Sequence, residues 1–144
     1  MLGRVLAATV AGGIAFFILG FVIFGLILGP TVMQPNTNPD AAKIMIDPPV
    51  WAPLILANLV SAFMLAFIFE KWAGIRTFAG GVYGGAVVWF LIALNVQLIF
   101  AAFMKLSTSY TPAVADVLGS TVMGAIGGGV IGLVLGMMNK DAAG

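Results

Sequence analysis

The feature that most constrains this chain is an uncharged apolar segment that runs from Val5 to Gly29. It exceeds the roughly 20 residues that an α-helix needs to cross the hydrocarbon core of a bilayer. A signal peptide is the competing interpretation, but its apolar region would be about 7–15 residues long and would end at a small-residue cleavage site. Leu28-Gly29-Pro30 offers no such site, so we expect a retained transmembrane helix.

Three further apolar segments follow, in a chain that is 62% hydrophobic and 8% charged. A soluble protein would carry roughly 25% charged residues. We therefore predict an all-α membrane protein, a bundle of four transmembrane helices that forms a single domain over residues 1–144. The predicted helices occupy about residues 5–29, 53–70, 78–104 and 112–138.

Prolines interrupt the hydropathy between the first two helices and predict an outer loop over residues 30–52. Asn38 followed by Pro39 has the pattern of a helix start and predicts a short helix over residues 39–47. The loop is either an ordered linker or a binding lid.

The charges predict an orientation, because positively charged residues favour the cytoplasmic side of a membrane. One side receives Arg4, Lys71, Arg76 and Lys140, and the other receives Lys43 and Lys105. Both termini are therefore predicted to be cytoplasmic.

Two short stretches resemble each other, Thr9-Val-Ala-Gly-Gly-Ile14 in helix 1 and Thr77-Phe-Ala-Gly-Gly-Val82 at the start of helix 3. A true duplication would give two parallel repeats of two helices each. The other interpretation is that small-residue segments imitate one another.

Small residues recur at every fourth position of the last helix, which is typical of a glycine zipper. In lipid, glycines allow two helix backbones to approach closely. The glycines predicted to pack are Gly124, Gly128, Gly132 and Gly136 in helix 4, and Gly80, Gly81, Gly84 and Gly85 in helix 3. They pack either within one bundle or against a second copy of the chain.

Polar side chains concentrate in the predicted outer half of the membrane. The candidate polar site comprises Asn58, Asn95, Gln97, Asp116 and Ser120. Unpaired polar groups in hydrocarbon cost several kcal/mol, so these groups form either a vestibule open to the outside or an interhelical hydrogen-bond network. Asn95 and Gln97 differ by about 200° around their helix, so they cannot both face one narrow site.

Two other residues carry expectations of their own. Glu70 is interpreted as a solvated helix end at the inner interface. Trp89 lies near mid-membrane, where its indole N–H is expected to donate to a nearby carbonyl.

Several functional classes are excluded or disfavoured. The chain contains no His and no Cys, so we predict no metal site and no cofactor. Its net charge of +1 is carried by scattered residues, which argues against nucleic acid as a partner. We predict no catalytic residues and no enzymatic activity, although Ser120 lies one turn from Asp116.

The four segments FVIFGLILGP, WAPLILANLVSAFMLAFIF, FAGGVYGGA and ADVLGSTVMGAIGGGVIGLVLG give the chain a wider resemblance. It resembles small, functionally uncharacterised bacterial integral membrane proteins with four spans. The resemblance implies a multi-pass protein of the bacterial inner membrane and no particular activity. Such proteins often carry an acidic residue late in helix 3, where this chain has Asn95-Val96-Gln97, whereas Asp116 matches the acidic residue at the start of helix 4.

The first functional hypothesis is a packed bundle that associates with itself, with membrane lipids or with another membrane protein. The alternative is a small transporter or channel with a vestibule around Asn95, Gln97 and Asp116. A water-accessible cavity at those residues would favour transport, and a dry bundle with an exposed small-residue groove would favour association.

Overall fold

The structure is a computed structural model that describes the backbone of residues 1–143 and the side chains of residues 1–140. Its helices are α1 (Leu2–Gly20, continued by the π-helix Phe21–Met33 and the 3₁₀ turn Gln34–Asn36), α2 (Pro39–Ala42), α3 (Trp51–Ile68, continued by the π-helix Phe69–Ala73), α4 (Phe78–Phe103) and α5 (Thr111–Ala143). Four of these helices, with their continuations, are long and apolar enough to span a membrane. The predicted all-α, four-span fold is confirmed.

The first span extends beyond its predicted end at residue 29. It continues through Pro30 to Asn36, and the part that contains the proline is π-helical. A proline in an α-helix lacks an N–H and collides with the carbonyl four residues earlier, whereas the wider π-helical turn hydrogen-bonds five residues back. Side chains support this turn, since Asn36 donates from Nδ2 to the Val32 carbonyl at 2.9 Å. The outer loop consequently begins at about residue 37.

The other helix boundaries also differ from the predicted ones. α3 begins at Trp51 and its π-helical end reaches Ala73, where Gly74 adopts a left-handed conformation with φ of 63°. The Asn38 side chain caps α2 by accepting the Asp40 N–H at 3.0 Å. α2 ends at Ala42 and not at residue 47.

α5 is the central helix of the bundle. It packs along α4 on one side and along α1 on the other, and α1 in turn packs along α3. The largest fully buried side chains come from α1, α3 with its π-helical end, and α5: Phe16, Leu65, Phe69, Ile131 and Leu135. α4 buries only Gly81, Gly85 and Ala93, so most of its surface faces outward.

Backbone-to-backbone contact defines the seam between α4 and α5. A methyl group added at Gly81 would overlap the carbonyl of Gly128, and one at Gly85 would overlap that of Gly124. One added at Gly128 would lie 2.8 Å from the Gly85 Cα. Because any side chain here would separate the helices, glycine at these positions sets the distance between them.

The other predicted glycines contact residues outside these backbone pairs, and Gly124 has a second neighbour as well. Gly124 lies beneath the ring of Trp89, and Gly132 and Gly136 face the backbone carbonyls of Thr77 and Arg76. Gly80 and Gly84 both face Ile75, and Gly84 also contacts Phe69. The glycines of α4 thus make two different contacts, one with α5 and one with the turn that follows α3.

The two outer loops are joined by hydrogen bonds. The Asn38 N–H donates to the Leu106 carbonyl at 2.9 Å, and the Thr108 N–H donates to the Asn36 carbonyl at 2.8 Å. Ser109 donates from its hydroxyl to Oδ1 of Asn36 at 2.9 Å. These contacts favour the interpretation of this loop as an ordered linker.

The two stretches that resemble each other occupy related positions in two helix pairs. Gly13 of α1 faces Leu59 of α3, and Gly81 of α4 faces Gly128 of α5. The threonines differ, because Thr77 caps α4 by accepting the Gly80 N–H, whereas Thr9 donates to the Val5 carbonyl inside α1. Duplication stays a prediction.

Replacing Gly128 with alanine tests the seam. The added methyl group forces α4 and α5 apart, and overpacking of this kind typically costs about 1–3 kcal/mol. The free energy of unfolding, measured by detergent titration in mixed micelles, should fall by that amount. Gly3→Ala is the matched control, because a methyl group there meets no atom within 4 Å; equal stability of the two variants would contradict the close packing.

Candidate functional site

Two polar clusters lie near opposite ends of the bundle. We call the end with Arg76 the inner end and the end with the joined loops the outer end. At about 1.5 Å per residue, the stretch from Arg76 to Gln97 rises about 30 Å, which is about the thickness of the hydrocarbon core. One cluster therefore falls near each membrane surface.

The outer cluster is a single hydrogen-bonded pair. Gln97 of α4 donates from Nε2 to Oδ2 of Asp116 on α5 at 2.8 Å. Both side chains are half-buried. The bond holds the outer ends of α4 and α5 together and supplies the carboxylate with a neutral donor.

The other three candidate polar residues lie apart from this pair. Asn95 is exposed on another face of α4, and Ser120 is buried one turn deeper along α5. Asn58 donates from Nδ2 to the Leu54 carbonyl of its own helix at 2.8 Å. Within residues 1–140, no side-chain hydrogen bond links Asn58, Asn95 or Ser120 to the pair.

Two surface grooves accompany these residues, and both are walled mainly by apolar side chains. A groove of about 330 Å³ runs between α4 and α5 beside Gln97, with Phe90, Leu94 and Val117 in its walls. A groove of about 250 Å³ runs between α1 and α3, where Asn58 is its one side-chain polar group and Gly13 forms part of its wall. We call the second one the α1/α3 groove.

Glu70 anchors the inner cluster, and its interpretation as a solvated helix end was wrong. Its side chain is only 2% exposed, although its arginine partners Arg4 and Arg76 are 21% and 38% exposed. Arg4 donates to Oε1 from Nε at 3.1 Å and from Nη2 at 2.7 Å. Arg76 donates from Nε to Oε2 at 3.1 Å and from Nη2 to Oε1 at 3.3 Å.

Local structure places the three charged groups together. The π-helical turn at the end of α3 buries both Phe69 and Glu70. The Ile75 N–H then donates to the Phe69 carbonyl at 3.0 Å, which folds the chain back so that Arg76 returns to Glu70. Gly136 of α5 packs against the Arg76 backbone, so the α4–α5 seam also fixes this turn.

Sequence reasoning assigned Arg4 and Arg76 to the same membrane side but did not pair them with Glu70. A signal was available, since Glu70 is the only acidic residue between Asp47 and Asp116. It directly follows the apolar run of residues 62–69 at the end of the second predicted helix, and the basic residues Lys71 and Arg76 come soon after it. A lone acid of that kind at a helix end is a candidate partner for the basic residues of its own membrane side.

Trp89 does not make the hydrogen bond expected of it. Its indole Nε1 is buried without a partner among the residues that the structure describes. The ring packs edge-on against Phe16, with 5.5 Å between centroids and 85° between planes, and it covers Gly124. Trp89 is therefore positioned by aromatic packing and by its contact with Gly124.

Comparison with known proteins identifies a family for the chain but gives no activity. Residues 7–132 match a family model described as "Protein of unknown function (DUF1761)". No curated protein and no solved structure matches the chain.

Replacing Glu70 with glutamine tests the inner cluster. Removing one partner of a fully buried ion pair costs about 3–5 kcal/mol, and the partial exposure of both arginines reduces the expected loss to about 1–3 kcal/mol. Detergent-induced unfolding measures it. Asp40→Asn is the matched control, because its ion pair with Lys43 is largely exposed and its loss should not change stability measurably; if the two variants behave alike, Glu70 does not anchor the inner end.

Proposed function

The chain belongs to this family of proteins of unknown function, and from its geometry we propose that it acts by lateral association within the membrane, as a bundle that pairs with a second copy of itself. The role is non-enzymatic. The observation that carries the proposal is the α1/α3 groove, an apolar depression at the surface of the bundle with Asn58 in its wall.

The groove lies at a depth where water is scarce. Asn58 is about 10 Å along α3 from Trp51 and about 18 Å from Glu70, by the rise of an α-helix. Ile14, Ile18 and Ile55 beside it are each about half exposed. The groove therefore opens toward the hydrocarbon core and away from both membrane surfaces.

An amide at this depth needs a further partner. Asn58 donates one N–H to Leu54 within α3, which leaves its second N–H and its side-chain oxygen available. Lipid tails offer neither donors nor acceptors, and transmembrane helices satisfy such groups by hydrogen-bonding across an interface. A partner helix with a polar side chain is the occupant that fits.

A second copy of the chain meets this requirement with no additional component. A side-chain amide both donates and accepts, so two Asn58 side chains related by a two-fold axis satisfy each other. Another membrane protein or a lipid would occupy the same surface without this self-complementarity.

The alternative function, a small transporter or channel, receives less support from the same geometry. Gln97 and Asp116 use each other as partners, and Asn95 faces away from them. The groove beside this pair is walled by apolar side chains, which suit a lipid tail better than a hydrated ion.

For localisation, we propose the bacterial inner membrane with both termini in the cytoplasm. Four apolar helices support a multi-pass membrane protein. The charge distribution supports the orientation, because the inner end carries Arg4, Lys71 and Arg76 whereas Lys43 and Lys105 lie in the outer loops.

Asn58→Leu tests self-association. The variant loses an interhelical hydrogen bond worth about 1 kcal/mol, so dissociation of the pair should become about five-fold easier. Energy transfer between donor- and acceptor-labelled copies in vesicles, followed as lipid is added, measures this change. Asn95→Leu is the matched control, since it makes the same replacement on α4, outside the groove, and should leave energy transfer unchanged.

Absence of energy transfer for the wild-type protein at every protein-to-lipid ratio would contradict the proposal. So would an equal loss in the two leucine variants, because the effect would then not belong to the groove.

Asp116→Asn distinguishes association from transport. The amide oxygen of the variant can still accept the Gln97 N–H, so stability should change by less than about 1 kcal/mol. Vesicles that contain either protein should be equally impermeable to monovalent cations. A cation flux through the wild type that disappears in Asp116→Asn would favour the transporter and contradict our preference.

A further inference from the structure

We infer that the Arg4–Glu70–Arg76 cluster at the inner end binds a phosphate oxyanion, as carried by an anionic lipid headgroup or by a free phosphate. This inference does not depend on the self-association proposed above. It concerns another surface, other residues and another ligand.

The cluster holds more positive than negative charge. Two guanidinium groups share one carboxylate, which leaves a surplus of one positive charge. Within residues 1–140, the acidic side chain paired with Arg4 and Arg76 is Glu70, and the other ion pair joins Asp40 to Lys43 in the outer loop. The exposed Lys71 adjoins Glu70 in the chain and adds to the local positive potential.

The surface that a ligand would meet is cationic. The carboxylate is 2% exposed, whereas the Arg4 and Arg76 side chains above it are 21% and 38% exposed. The negative group is therefore beneath the arginines, and an approaching anion encounters guanidinium groups first. Burial of Glu70 also holds both arginines in place, so little side-chain entropy remains to be lost on binding.

Each guanidinium keeps donors for a ligand. An arginine side chain has five N–H groups, and both arginines contact Glu70 through Nε and Nη2. Neither Nη1 donates to a side chain or backbone atom that the structure describes. Planar pairs of N–H donors match the oxygens of phosphate, which arginine binds in a bidentate manner.

The position of the cluster fits a lipid phosphate. Arg4 lies in the first turn of α1, and Arg76 precedes Thr77, the N-cap of α4, so both are at the ends of membrane spans. Trp72 in the same turn is 73% exposed, and tryptophan is typical of the headgroup level. Basic pockets at the ends of transmembrane helices are a known mode of anionic headgroup binding.

Native mass spectrometry of the full chain tests the inference, using micelles doped with equal amounts of phosphatidylglycerol and phosphatidylcholine of the same acyl chains. The wild type should retain phosphatidylglycerol preferentially. Arg76→Gln should lower that preference about five-fold, the effect of one basic residue near the surface. Lys105→Gln is the matched control, since it removes the same charge at the outer end and should leave the preference unchanged.

A second arm identifies the source of the phosphate. Inorganic phosphate is titrated into protein in neutral detergent, and binding is followed by calorimetry for the wild type and Arg76→Gln. Binding that depends on Arg76 supports the inference with free phosphate as a ligand. Retention of phosphatidylglycerol without binding of inorganic phosphate supports it with the lipid headgroup as the ligand.

Folding is checked separately, by circular dichroism and by detergent unfolding of each variant. Arg76→Lys serves as a second variant, because it keeps the charge but loses the two-pronged donor geometry, and it should show an intermediate preference. Equal headgroup preference in folded wild type and folded Arg76→Gln, with no binding of inorganic phosphate, would overturn the inference. An equal loss of preference in Lys105→Gln would also overturn it, because net charge alone would then explain the retention.

Discussion

Direct contact between the backbones of α4 and α5 is the interaction on which the rest of this structure depends. In lipid the hydrophobic effect does not drive helices together, so van der Waals contact between closely approaching backbones takes on that role. Gly81 and Gly85 meet Gly124 and Gly128 along this seam. The same face of α5 continues to Gly136, which packs on the Arg76 backbone. Close packing in mid-membrane thus also positions a charged group at the membrane surface.

Polar contacts then fix the ends of the spans. At the inner end, Glu70 joins the first turn of α1 to the turn between α3 and α4 through both arginines. At the outer end, Gln97 joins α4 to Asp116 of α5, and the loops beyond are hydrogen-bonded to each other. Asn58 belongs to neither end and lies in the wall of the apolar α1/α3 groove, which can receive another helix. This division explains why we place association at the α1/α3 groove and anion binding at the inner end.

Sequence patterns predicted the spans well because membrane insertion depends on local hydropathy. They placed α4 and α5 within a residue or two at their starts and proposed the glycine faces of both. They did not predict that the first span continues through Pro30, since a π-helical turn tolerates a proline that an α-helix would not. The residues of the candidate polar site were grouped because they share a depth in the membrane. Depth does not determine which side of its helix a residue lies on. Only Gln97 and Asp116 of the site's five members face each other.

By itself, the sequence determined that the helices lie in lipid, that there are four spans, and that no histidine or cysteine side chain can act as a metal ligand or nucleophile. These properties follow from residue type and segment length. The tertiary structure alone decided which polar groups meet. Glu70 is a helix end in the sequence and a buried anchor in the fold, because helix packing brings Arg4 from the start of the first span and the turn after α3 brings Arg76 back to it. Asn58 and Asn95 are equivalent as amides, yet one lies in a groove within the hydrocarbon and the other on an outward face near the surface. Helix packing makes that difference, because it fixes both the rotation of each helix and the neighbour that it faces.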